Sequence, residues 1–264
     1  MSELLSGLFT PDPGVVDGLL ALSVIYALAV GPGRKYLAPD QPFEKKRAIS
    51  FAIGFLILVA AVATPIDHIG ETYLFSVHML QHVMLMFFLP PFLIYGTPVW
   101  LSDFLFRTEG LGKVLRFFCH PITSCIAFNA ILIFWHVPAF YELALRDSFV
   151  HLLEHITFVA CSIFMYWPLL GRETGEKPLH NGLRILYVLA VSLGQIPLFA
   201  VLTFCPSVLY PTYAKAPRYI EGFSPLTDQM FGGVIMKLVT AVFMFTGLVV
   251  YFYRWYVSEN GTPK

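Results

Sequence analysis

Long apolar segments with almost no charge recur along this chain, and they restrict its fold more than any other feature. Seven can be marked, and each approaches the roughly 20 residues that a helix needs to cross a bilayer. They cover residues 14–30, 48–66, 73–95, 117–141, 148–170, 185–204 and 229–253. None alternates polar and apolar residues with a period of two, so an outer-membrane barrel is disfavoured. We therefore predict an all-α, polytopic membrane protein with seven transmembrane helices.

The composition agrees with a bilayer as the main surrounding of the chain. Hydrophobic residues make up 57% of it and charged residues 13%, whereas soluble domains carry about 25% charge. Lys plus Arg and Asp plus Glu number 17 each, so no basic surplus indicates a nucleic-acid partner. Seven spans leave no room in 264 residues for a sizeable soluble domain. Residues 1–264 are predicted to form a single transmembrane domain.

The distribution of Lys and Arg predicts the orientation, because cytoplasmic connections carry an excess of these residues. Of the 17, thirteen fall in the first, third and fifth connections and the C-terminal tail, three fall on the opposite side, and Lys237 lies within the seventh span. The N-terminus is therefore predicted to lie outside and the C-terminus in the cytoplasm. The first residues lack a basic region and a small-residue cleavage site, so the first span is expected to stay in the mature protein.

Prolines mark two further expectations. Pro90-Pro91 should kink or close the far end of the third span, and Pro197 should kink the sixth. The longest outer connection, residues 205–227, contains four prolines. It is expected to be an ordered lid or a partner surface. Only Cys205 lies near the outer side, so no structural disulfide is expected.

Six of the eight histidines share one position in the predicted topology, at or just below the outer ends of helices. They are His68, His78, His82, His136, His151 and His155. The other two, His120 and His180, fall in cytoplasmic connections and are expected to be solvated. A single histidine in a membrane helix is often an interhelical hydrogen-bonding residue, so the spacing of the six matters more than their number.

Two H-x-x-x-H motifs carry the strongest signal. His78 and His82 lie in the third span, and His151 and His155 lie in the fifth. Residues i and i+4 of a helix stack on one face, so each pair can share one metal ion. Helix rise places His82 about 13 Å and His155 about 10 Å into their spans, at similar depths. His68 and His136 are expected to approach from above.

Several further side chains are candidate ligands. Glu154 can be a ligand, an acceptor for a ligating histidine or a proton carrier. The alternative interpretation is that it is a charged residue at the membrane interface with none of these roles. Imidazole alone does not name the metal, but thioethers favour Cu(I). Met79 and Met230 are the better thioether candidates, against core packing as the alternative. Asp228 is either a ligand or a cap of the seventh helix.

The seventh span contains two other features of note. Gly232-Gly233 indicates a close approach between helices. Lys237 lies about 13 Å inside by helix rise, and a lysine at that depth needs a partner or must snorkel. Glu154 and Asp67 are the candidate partners.

Four motifs, in order along most of the chain, resemble the seven-helix CtaG-type cytochrome c oxidase assembly factors of bacterial inner membranes. The motifs are His78-Met79-Leu80-Gln81-His82, His136-Val137-Pro138-Ala139-Phe140-Tyr141, His151-Leu152-Leu153-Glu154-His155, and Asp228-Gln229 followed by Gly232-Gly233 and Met236. The resemblance implies a multi-pass inner-membrane protein that helps to mature a haem–copper oxidase by handling copper. Lys237 departs from the family pattern, in which an aromatic residue tends to follow the methionine.

The resulting prediction is an outward-opening histidine site that binds copper, as Cu(I), and passes it to an oxidase subunit without catalysis. The expected partners are that subunit and the lipid bilayer, and a homo-oligomer is compatible with both. One alternative is a membrane-embedded zinc hydrolase that uses the same histidines, with Glu154 or Asp67 as base. Another is haem binding by a histidine pair from two helices.

Overall fold

Helices account for all regular secondary structure in the part of the chain that the computed structural model describes, residues 13–171, 179–218 and 220–261. In chain order they are α1 (Pro13–Val30), α2 (Arg34–Leu37), α3 (Lys45–Val62), α4 (Pro65–Thr72), α5 (Phe75–Val83), a π-helical segment (Met84–Phe88), α6 (Leu89–Gly96), α7 (Val99–Arg107), α8 (Leu111–Cys119), α9 (Pro121–His136), α10 (Pro138–Arg146), α11 (Ser148–Leu170), α12 (Asn181–Gly194), α13 (Ile196–Phe204), α14 (Pro211–Lys215) and α15 (Pro225–Asn260). The predicted all-α class is confirmed.

Six helical stretches within the described ranges are long and apolar enough to cross a membrane. They are Pro13–Val30, Lys45–Thr72, Phe75–Gly96, Ser148–Leu170, Asn181–Phe204 and Pro225–Asn260. A seventh span results only if α8 and α9, which meet at a bend of 79°, are counted as one. The polytopic architecture is confirmed, and the count of seven depends on that bent pair.

The bend has a cause in the local sequence. His120 precedes Pro121, and the proline ring disfavours helical dihedral angles at the residue before it. His120 accordingly is extended, with φ −66° and ψ 136°. The same effect at Val137, before Pro138, ends α9 directly after His136. The fourth span, predicted within residues 117–141, is therefore bent at His120, and His136 ends its helix, as predicted.

Pro90-Pro91 does not close the third span. The helix widens into the π-helical segment Met84–Phe88 and continues to Gly96. A proline leaves the carbonyl four residues earlier without its usual partner, and for Pro91 that carbonyl belongs to Phe87. The Tyr166 hydroxyl of α11 donates to the Phe87 carbonyl oxygen over 2.8 Å. Of the two outcomes expected at Pro90-Pro91, a kink or a closure, the closure is not observed, because a neighbouring helix satisfies the freed carbonyl.

The span that carries the first histidine pair is the most enclosed. In its most apolar stretch 56% of the residues are buried, whereas in that of α1 only 6% are buried. Helix α15 packs closely against α5, since a β-carbon added at Gly232 would lie 2.5 Å from the Phe75 ring. At Gly233 the same addition would meet the Thr203 hydroxyl at 2.5 Å. The predicted close approach at Gly232-Gly233 is confirmed, because Gly232 lies against α5 and Gly233 lies against α13.

The 205–227 connection folds back over one end of the bundle. Tyr210 and Tyr213 are only 1% and 2% exposed. Glu142 of α10 accepts hydrogen bonds from the Thr212 backbone N–H (3.0 Å) and the Thr212 hydroxyl (2.8 Å). The Gln229 side chain accepts from the Leu209 N–H over 2.7 Å. In its described part this segment is an ordered cover, as the sequence predicts.

Candidate metal centre

Four buried side chains from two helices converge at one point. They are His78 of α5 and His151, Glu154 and His155 of α11, and one ligand atom from each lies within 4.8 Å of the others. Helical spacing explains why three come from a single helix, because positions i, i+3 and i+4 share one face. The structure thus brings a residue of the first histidine pair against the whole second pair.

Each of these four side chains also has a buried ligand atom without a hydrogen-bond partner among the described residues. These atoms are Nε2 of His78, His151 and His155 and Oε1 of Glu154. Buried polar atoms are nearly always paired, because leaving one unsatisfied costs roughly 1–3 kcal/mol. Imidazole nitrogen and carboxylate oxygen are both common metal ligands. A single bound cation would satisfy all four atoms, so the donor set fits a metal ion.

The tautomer of His78 follows from a hydrogen-bond chain through the 205–227 connection. Burial raises the pKa of the Tyr213 hydroxyl well above its ordinary value, so the group stays protonated. It donates its one proton to the Gly70 carbonyl oxygen over 2.8 Å. The Tyr213 oxygen must therefore accept from His78 Nδ1, at 3.0 Å, and from the Tyr141 hydroxyl, at 2.9 Å. With its proton on Nδ1, neutral His78 presents the Nε2 lone pair to the cluster.

His151 is oriented by a carboxylate in a similar way. Its Nδ1 lies 2.6 Å from Glu71 Oε1. A ligating histidine commonly donates its second ring N–H to such an acceptor, which sets the tautomer and makes the ligand atom more basic. The Glu71 side chain is 34% exposed while that of His151 is 10% exposed. This pair therefore connects the buried cluster to the protein surface.

His82 lies beside the group of four, one helical turn further along α5 than His78. The ring of His82 lies 4.3 Å from that of His78, 5.7 Å from His155 and 5.8 Å from His136, between centroids. Neither ring nitrogen of His82 has a hydrogen-bond partner in the described chain. Its Nε2 lies 3.7 Å from Glu154 Oε1. His82 therefore adjoins the group of four without belonging to it.

His136 and Met79 contact each other beside His82. The Nδ1 atom of His136 lies 2.7 Å from the Leu132 carbonyl oxygen, and its Nε2 atom lies 3.3 Å from Met79 Sδ. Both side chains are buried. His136 was expected to approach the two pairs, and the structure places it against Met79 and beside His82, a member of the first pair.

Three predicted ligands do not join the group of four. The ring of His68 packs edge-on against Tyr73, with 5.9 Å between centroids. Met230 is 41% exposed. Asp228 accepts hydrogen bonds from the backbone N–H groups of Phe75 (2.6 Å) and Ser76 (3.0 Å). Asp228 therefore caps the N-terminus of α5. The N-terminus of α15, the helix that contains Asp228, is capped by Ser224.

The expected partners of Lys237 are also wrong. Lys237 is exposed on α15 and forms no ion pair with a described residue. Asp67 Oδ1 instead accepts from the Gln81 amide over 2.5 Å, and Glu154 lies in the histidine cluster. His120 and His180 are exposed, as predicted.

Two residues that orient candidate ligands, Glu71 and Tyr213, were not among the residues predicted from the sequence. Glu71 has one usable signal, because it lies in the short outer connection that precedes the first histidine pair. Tyr213 has no local signal, because it lies 135 residues from His78. Only the folded 205–227 connection brings it there.

Comparison with known proteins shows which family the chain belongs to. The chain is 25% identical over 224 residues to uncharacterized proteins of Mycobacterium bovis, Mycobacterium tuberculosis and Mycobacterium leprae. The matches cover 79% of this chain but 34% of each relative, so the chain spans about a third of their length. No solved structure matches it significantly. The model of the cytochrome c oxidase caa3 assembly factor family (Caa3_CtaG) matches residues 24–258, and the chain therefore belongs to this family.

Proposed function

We propose that this protein binds copper at the cluster of His78, His151, Glu154 and His155 and delivers it to a haem–copper oxidase subunit within the membrane. The observation that carries the proposal is the convergence of four buried ligand side chains from two helices, each with a nitrogen or oxygen atom that has no hydrogen-bond partner among the described residues. Membership of an oxidase assembly family supplies the destination. An oxidase needs its buried copper sites filled during assembly.

Copper is preferred on chemical grounds. Divalent copper stands at the top of the affinity order for nitrogen and oxygen ligands, so free copper would occupy wrong sites and needs a carrier. The thioether of Met79 lies against His136 at the edge of the cluster, and thioethers favour Cu(I). We therefore propose that Cu(I) is the form delivered.

The zinc hydrolase alternative has a specific weakness. A catalytic zinc keeps one coordination position open for water or substrate. Here Glu154 lies among the converging atoms with three imidazoles, so together they would complete a tetrahedral set. A closed set of four suits binding and carriage better than hydrolysis. The proposed role is therefore that of a carrier without catalytic activity.

The proposed location is the outer half of a bacterial inner membrane, with the N-terminus outside. The imbalance of Lys and Arg between the two sides supports this orientation. The partly exposed Glu71 next to His151 offers a route between the cluster and the surface. The ordered 205–227 connection covers the same end and is the proposed contact surface for the oxidase subunit.

The proposal is tested in cells by deleting the gene and measuring oxidase activity, oxidase polypeptides and copper per haem, with and without excess copper. We expect polypeptides at normal levels, low activity and low copper per haem, with recovery in excess copper. Complementation with His180→Ala should restore activity, whereas complementation with His155→Ala should not. Fully copper-loaded oxidase in the deletion strain would remove the delivery role.

A further inference from the structure

We propose that the cluster contains a second, softer metal subsite for a cuprous ion, formed by His82, His136 and Met79. It lies beside the group of His78, His151, Glu154 and His155. This inference rests on the proposed copper function, because it assigns a separate place within the cluster to Cu(I).

The first argument is the position of the proton on His136. The Leu132 carbonyl oxygen can only accept, so the proton of His136 lies on Nδ1, which is 2.7 Å away. The neutral ring then turns its Nε2 lone pair toward Met79 Sδ at 3.3 Å. Thioether sulfur is also a lone-pair donor. Two acceptors therefore face each other inside the protein with no hydrogen between them.

A charged imidazolium would remove this conflict only by placing a full charge on a side chain that is 4% exposed, which is costly. A metal ion bound by both His136 Nε2 and Met79 Sδ removes the conflict between the two acceptors and leaves His136 neutral. With metal–nitrogen and metal–sulfur distances of about 2.0 and 2.3 Å, a 3.3 Å separation corresponds to an angle of about 100° at the metal. Such an angle is compatible with a three- or four-coordinate ion.

The third donor comes from the same face of α5. Met79 and His82 are three residues apart, so helical geometry places them side by side. Both ring nitrogens of His82 are buried without a partner in the described chain, and its ring lies 5.8 Å from that of His136. One thioether and two imidazoles form a set whose sulfur favours Cu(I) over zinc.

His82 also relates the two subsites. It lies one turn, or about 6 Å, further along α5 than His78. Its Nε2 atom is 3.7 Å from Glu154 Oε1, an atom of the other group. An ion can therefore pass from the group of four to the second subsite by exchanging one ligand at a time, with His82 as the first ligand of the second subsite that it meets. The subsite thus supplies a soft destination for an ion that enters through the harder group.

The test is an anaerobic titration of the purified full chain with Cu(I) against a competing chelator, together with X-ray absorption spectroscopy. The wild-type protein is expected to bind two ions per chain and to show a copper–sulfur distance. Met79→Leu, which conserves volume, is expected to bind one ion and to lose the sulfur signal. Met165→Leu is the control, because both methionines are fully buried in the same core, and it should keep both.

His136→Gln tests the same subsite without altering a sulfur atom and is also expected to lose one ion. A wild-type protein that binds a single Cu(I) with only nitrogen and oxygen ligands would overturn the second subsite and leave the copper carrier in place. Two ions and an unchanged sulfur signal in Met79→Leu would overturn it as well. A wild-type protein that binds no copper would overturn the proposed function and the subsite together.

Discussion

The Tyr213 hydroxyl accepts a hydrogen bond from His78 Nδ1 over 3.0 Å, and this contact links the cover of the bundle to the candidate metal centre. Tyr213 belongs to the 205–227 connection, whereas His78 lies within the third span. The same hydroxyl is bonded to the Gly70 carbonyl oxygen at 2.8 Å. The position of the connection therefore affects the proton position and orientation of a candidate ligand.

Replacement of Tyr213 by phenylalanine should weaken metal binding without abolishing it. The variant removes the acceptor for His78 Nδ1, and loss of such an outer partner commonly costs about 10- to 100-fold in metal affinity. A chelator-competition titration measures the change. Tyr210→Phe is the matched control, since the Tyr210 hydroxyl donates to the backbone carbonyl of His136 and orients no ring nitrogen. Equal affinities of the two variants would contradict a tautomer-setting role for Tyr213.

Asp228→Ala should reduce stability and leave metal stoichiometry unchanged. The variant leaves two buried N–H groups at the start of α5 without their acceptor, and loss of a helix cap costs about 1–2 kcal/mol. Thermal unfolding in detergent should show a lower Tm, and metal analysis should match wild type after purification. A variant of normal Tm that has lost metal would instead identify Asp228 as a ligand.

The orientation can be checked with reporter enzymes that are active only outside the cytoplasm. A fusion in the 205–227 connection at Lys215 should be active, because that connection is predicted to be external. A fusion at Glu109, in the positively charged third connection, should be silent. The reverse pattern would place the histidine cluster in the cytoplasmic half and contradict delivery from the outer leaflet.

The helical class and the central histidines of the site are predictable from the sequence because they depend on local periodicity. Apolar segments of membrane-spanning length indicate helices, and i, i+4 spacing indicates histidines that share a face. Contact between the two pairs requires matching depths, which the sequence predicts, and neighbouring helices, which the folded bundle supplies. The sequence identifies His78, His151, Glu154 and His155 as candidates before any tertiary contact is known.

The features that escape the sequence depend on contacts between distant segments. Asp228 caps a helix that begins 153 residues earlier, so its local context indicates the wrong helix. Pro90-Pro91 indicates a kink or an end of the helix, but the helix continues, because the Tyr166 hydroxyl, 79 residues away from Phe87, satisfies the freed carbonyl. Lys237 needs no buried partner, because its side chain faces the outside of the bundle. Each case depends on how distant segments pack in the bundle, which local sequence does not show.

The most direct measurement is the metal content and oxidation state of the purified full chain, compared with its His155→Ala and His180→Ala variants. The account predicts copper, as Cu(I), in the wild-type protein and in His180→Ala, since His180 is exposed and remote from the cluster. His155→Ala should lose the copper held by the group of His78, His151, Glu154 and His155, because it removes one of four converging ligand atoms. Zinc in place of copper, or equal copper in all three proteins, would contradict the proposed copper site.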